Sequence, residues 1–156
     1  MPAAAPRPAP PPPPPGRAAF RTTDFEGLVQ SVGVWDATTR QMTAGLFSGS
    51  FAAARVGAVG VSRLTLSHAV QLRGVLRRPG YVFTPVVGTA ARAVWRGSTL
   101  GPGQLSLVGP ETQIDHLSAP DADYLLVAVD MDRLHAVGEV LAGIDLGDYL
   151  WGRFAF

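Results

Sequence analysis

Along most of this chain apolar and polar residues alternate at every second position, the period of strands that turn one face inward. The clearest run spans residues 59–68, where Leu64, Leu66 and His68 share one face while Arg63, Thr65 and Ser67 share the other. Leu105 and Leu107 alternate with Gln104 and Ser106 in the same way, and the leucines are expected to point inward. Further strands are predicted over residues 34–43, 51–56, 71–76, 81–87, 91–95, 112–117 and 124–129. Corners separate them. Arg96-Gly97 reverses the chain after Trp95, Gly101-Pro102-Gly103 supplies a second turn, and Gly109-Pro110 ends the strand that follows. Pro85 marks 81–87 as an edge or bulged strand, because proline has no amide to give a ladder. Residues 124–129 are apolar on both faces, which predicts a central strand covered on both sides.

Two segments change to the helical period. Thr23-Asp24-Phe25-Glu26 reads as a capping box with Thr23 as the cap. It opens a helix to Val32 with Phe25, Leu28, Val29 and Val32 on one stripe, and Gly33 stops it. Asp130 caps a second helix over 131–142, with Leu134, Val137 and Leu141 in line and Gly143 at its end. The sum is a mostly-β fold, a barrel or double-sheet roll with flanking helices.

Composition divides the chain. Residues 1–18 form a proline- and alanine-rich arm that cannot bury a core and is expected to be disordered. Residues 19–142 form one domain. Residues 143–156 gather Tyr149, Leu150, Trp151, Phe154 and Phe156, an aromatic segment suited to a dimer or interdomain contact. No cysteine occurs, so disulfides, thiolate catalysis and cysteine-bound zinc are excluded. No apolar span is long enough to cross a membrane as a helix, and a cytoplasmic location is expected.

Net charge is only +1, yet it is unevenly spread. Residues 37–110 hold eight arginines and no acid, whereas residues 111–156 hold nine acids and two arginines. A basic face for nucleic acid would need a clear positive excess. The two halves are therefore expected to lie side by side and to neutralise each other across strand pairs.

Chemistry is sparse. A barrel of this size either fills its interior or keeps room for one small molecule, and His68, Trp95 and His116 are the candidates to line such a site. Each has a plain alternative as a core residue. Two histidines with no His-x-His pair make a poor transition-metal set, so no metal site is expected. There is no Gly-x-Ser-x-Gly elbow and no lysine for a phosphate loop, so neither catalytic residues nor a cofactor are expected.

The order of features resembles a known family. Phe20 to Phe25, the Phe51 hairpin, Trp95-Arg96-Gly97 with Leu100-Gly101-Pro102-Gly103, the strand to Gly109 and residues 124–134 resemble the N-terminal sensing and dimerisation domain of AraC-type transcription regulators. That resemblance covers about residues 20–141 and implies a cupin-like roll followed by helices that pair two protomers, with an effector pocket in the roll of some members. It implies a small-molecule effector and a homodimer as partners. In that family two helix-turn-helix units follow, and this chain stops at Phe156, where they would begin. Specific DNA binding by this chain alone is not expected. The alternative is a small cupin-type enzyme acting inside the barrel.

Overall fold

A computed structural model describes residues 16–32, 35–76, 80–87, 93–101 and 103–150. The expected arm up to residue 15, the stop at Gly33, Ala91, Pro102 and the aromatic residues from Trp151 lie outside these.

The chain begins with β1 (Arg17–Thr22), α1 (Phe25–Val32) and β2 (Trp35–Gln41). Two hairpin strands follow, β3 (Gly49–Val56) and β4 (Val59–Leu66), then β5 (Val70–Leu76) and β6 (Tyr81–Val87). Next come β7 (Ala93–Trp95), β8 (Ser98–Leu100), β9 (Leu105–Val108), β10 (Gln113–Leu117) and β11 (Ala122–Val129). The helices α2 (Met131–Ala142) and α3 (Leu146–Leu150) close the described chain.

The strands form two antiparallel sheets, one ordered β1-β3-β4-β11-β6-β9 and the other β2-β5-β10-β7-β8. This is the mostly-β double-sheet roll with flanking helices that the alternation predicts. The main core lies between the sheets and includes Phe51, Leu66 and Leu126 from one and Val70, Trp95 and Ile114 from the other. Helix α1 joins edge strand β1 to edge strand β2 and drives Leu28, fully buried, into that core. Its cap is Asp24 rather than Thr23: the Gly27 amide donates to Asp24 Oδ1 at 3.1 Å, and the Asp24 amide itself donates to Thr22 Oγ1 at 2.9 Å. The cap of α2 is as expected, with the Asp132 amide donating to Asp130 Oδ1 and Gly143 in the left-handed conformation at φ 64°.

Other expectations are corrected. Arg17 and Ala18, counted with the arm, belong to β1 and pair with Ala54 and Ala53 of β3. Strand β6 is not an edge, because it lies between β11 and β9. Pro85 interrupts the ladder instead: β6 and β11 pair at Tyr124↔Val86 and resume at Val127↔Phe83 without a change of register. In β9 the inward positions are reversed. Val108 joins the main core, while Leu107 is buried on the other face of the sheet with Tyr81 and Leu150. The reason is α2 and α3, which fold back over that outer face and bring Met131, Leu134 and Leu150 onto it. Leu150, assigned to an exposed contact surface, is thus buried here.

The charge asymmetry resolves as neighbouring strands. Arg63 of β4 grips Asp123 of β11 with two hydrogen bonds, Nε to Oδ1 at 2.9 Å and Nη2 to Oδ2 at 2.5 Å. Arg73 of β5 meets Asp115 of β10 at 3.1 Å. Both pairs are cross-strand, joining the arginine-rich stretch to the acidic one.

Candidate ligand site

Trp95 ends β7 just before a two-residue hairpin in which Arg96 and Gly97 take φ of 48° and 82°. Positive φ at both positions matches the right-handed twist of the flanking strands, and glycine meets the second without strain. The turn is fixed further by the Arg96 amide, which donates to the Asp115 carbonyl at 2.8 Å. Trp95 therefore stands beside His116 of β10, whose other neighbour is Leu72 of β5. The Trp95 and His116 rings lie 6.0 Å apart between centroids.

From the opposite sheet Tyr124 of β11 reaches across the core. Its hydroxyl is 3.2 Å from His116 Nε2, and the two rings meet edge to face at 5.3 Å. Burial pulls the His116 imidazole down to about 4, with the Asp115 carboxylate pulling the other way. The ring is thus neutral at neutral pH. Burial likewise raises the Tyr124 phenol, against the effect of the Ser118 hydroxyl. Ser118 in turn accepts from the Val70 amide at 2.8 Å. Trp95 is 4% exposed, and its Nε1–H finds no acceptor. A buried donor left unpaired is a cost that native interiors mostly avoid.

A cavity of about 60 Å³ opens beside His116. Phe25, Leu28 and Val29 of α1 form its roof. Leu64 and Leu66 of β4 and Val70 and Leu72 of β5 form its walls, and His116 is the one polar side chain that lines it. A larger groove of about 640 Å³ runs over the outer face of β1, β3 and β4, with Arg21 and Arg63 on its border. It is an open surface, and its Arg63 is already held by Asp123.

Of the three residues singled out from sequence, the structure brings Trp95 and His116 together and leaves His68 apart. Strand β4 ends at Leu66, so the alternation that placed His68 on the inward face does not reach it. His68 lies in the bend beyond, where Ser67 Oγ is 2.7 Å from its Nδ1. Its Nε2 rests on Gly45, where an added Cβ would come within 2.5 Å. The imidazole thus props the 42–46 loop. The residue that sequence reasoning missed is Tyr124. Its signal was a tyrosine leading an apolar strand, since a buried phenol needs a hydrogen-bond partner. Among the described residues no three metal-binding side chains come together, and no helix is long and apolar enough to cross a membrane.

No family model matches the chain, and no curated protein matches it. Solved structures do. The crystal structure of the AraC-like transcriptional activator CuxR superposes with a TM-score of 0.54 at 13% identity, over 86% of this chain and 58% of that one. This chain shares its fold with CuxR. The match thus spans a little over half of the activator's own length. Oxalate decarboxylase structures, including a variant of the Bacillus subtilis enzyme, cover 78% of this chain at 16% identity. They superpose with a TM-score of 0.40, over 39–40% of their own length.

Proposed function

We propose that this chain is the regulatory domain of an AraC-type transcription regulator, a non-enzymatic cytoplasmic unit that binds a small effector in the roll and pairs with a second copy. Specific reading of bases is not assigned to it. The observation that supports this best is the fold shared with an AraC-like activator over 86% of the chain. Pairing is supported by α2, which leaves Val140 and Leu141 uncovered near its C-terminal end. Val140 and Leu141 are 83% and 79% exposed, and a self-complementary two-fold contact would cover them.

Sedimentation of the full chain tests the pairing. A dimer is expected, and the double change Val140→Glu with Leu141→Glu should yield a folded monomer. A wild-type monomer would remove this half of the proposal. Thermal unfolding against a metabolite panel tests the sensing half, since a ligand at about 100 times its Kd adds roughly 2.7 kcal/mol. A panel without one stabilising compound would count against it.

A further inference from the structure

The cavity beneath α1 restricts what kind of effector can sit in it. We infer that the ligand is a small uncharged molecule with an apolar body and a single hydrogen-bonding group, seated between Leu28 and His116, and neither a polyol nor an anion. This inference rests on the sensing half of the proposal above and specifies its ligand.

Three observations lead to it. First, the walls are aliphatic and aromatic apart from His116. Each hydroxyl of a polyol would give up its water on entering, and one imidazole answers only one of them. Second, no arginine lines the cavity, and His116 is held neutral by burial, so an anion would find no counter-charge. Third, the imidazole is fixed before any ligand arrives. Leu72 and Trp95 flank it within its sheet, and the Tyr124 hydroxyl holds its Nε2 at 3.2 Å. A single oriented polar group in an apolar chamber is how small-ligand pockets set orientation.

Size makes α1 part of the site. A dry apolar cavity of about 150 Å³ binds benzene. The 60 Å³ present here takes only a few atoms while Leu28 fills the roof. A larger apolar body must displace that side chain. Helix α1 is eight residues long and joins the two edge strands, so it is the element whose movement opens the chamber. Leu28 therefore occupies the place of the ligand's apolar body when none is bound.

The test compares 1-butanol with erythritol, which share a four-carbon skeleton but carry one hydroxyl and four. Binding to the full chain is read from the His116 imidazole resonances, at concentrations that leave the far-ultraviolet circular dichroism unchanged. Saturable shifts are expected with 1-butanol and none with erythritol. Leu28→Ala, which vacates the roof, should tighten 1-butanol by about tenfold, a difference of 1.4 kcal/mol. Leu72→Phe should abolish the shifts by filling the chamber. Erythritol binding as well as 1-butanol would overturn the inference, as would silence of His116 toward 1-butanol in both the wild type and Leu28→Ala. Either result would leave sensing itself to the metabolite panel, where its own failure would be seen separately.

Discussion

The Tyr124 hydroxyl and His116 Nε2, 3.2 Å apart, join the two sheets through the middle of the core. Tyr124 comes from β11 of the six-stranded sheet and His116 from β10 of the five-stranded one. Most of the inter-sheet contact is apolar and non-directional. This pair instead fixes the orientation of one sheet against the other at a point beside the cavity. Removing its phenolic oxygen should show what it contributes. Tyr124→Phe leaves a buried imidazole nitrogen without that partner, and the expected loss is about 1–3 kcal/mol in urea unfolding. A double-mutant cycle with His116→Phe should recover part of that loss, because the second change removes the stranded group.

His116 also sets a dependence on pH. Its folded value, about 4, is below the ordinary 6.5, so the unfolded chain takes up a proton first. Stability is then full above about pH 6.5 and falls as the pH drops towards 4, where this contribution levels off. The span of about 2.5 units corresponds to roughly 3 kcal/mol. Asp123 acts in a separate window. Arg63 holds its carboxyl below the ordinary 3.8, so the stability it adds is present above that value and lost below it. Urea unfolding followed from pH 7 to pH 4.5 should show a slope that His116→Phe flattens. An unchanged slope in the variant would assign it to other groups.

The Arg63–Asp123 pair is well formed and still expected to matter little. Its arginine is 65% exposed, and solvent screens such pairs while side-chain entropy opposes them. Asp123→Asn should move the unfolding midpoint at pH 7 by no more than a surface substitution does, and added salt should remove the difference. A large loss would mean that the pair also sets the β4–β11 register.

How much was legible in the sequence follows from what kind of force placed each residue. The alternation in 59–66 and the turn chemistry of Arg96-Gly97 are local, and the structure has them where the sequence puts them. His68 was misplaced because side chains take over from the ladder at the strand's end: the Ser48 amide donates to Ser67 Oγ, and the Ala69 amide to Thr43 Oγ1. Periodicity contains no record of those bonds. Leu105 and Leu107 were assigned to the wrong side for a related reason. Alternation says which residues share a face, not which face the helices will cover, and here α2 and α3 make the outer one apolar. The β1 strand could not be read at all, since Arg17-Ala18-Ala19 has no alternation and is ordered by its register with β3. The site was half legible for the same reason: Trp95 and His116 are visible on their strands, whereas Tyr124 joins them only once the sheets face each other.

Gly49 marks how closely the roof of the cavity is packed. It opens β3 opposite Leu66, and a Cβ built on it would lie 2.7 Å from Leu28 Cδ2 and 2.7 Å from Phe47 Cζ. Leu28 borders the 60 Å³ cavity and can give way into it, but Phe47 is buried with its ring tilted against Phe25 at 5.1 Å between centroids. Gly49→Ala should therefore destabilise by about 1–3 kcal/mol, the range for overpacking a filled core. Leu28→Ala alone should cost about 2–5 kcal/mol through the cavity it leaves. Combined, the two should cost less than their sum, because the shortened side chain no longer meets the new methyl. The Phe47 clash persists, so the rescue should be partial, with a coupling of about 0.5–3 kcal/mol measured by chemical denaturation. Strict additivity would mean that Gly49 and Leu28 do not touch, and that α1 sits differently on the roll from the arrangement described here.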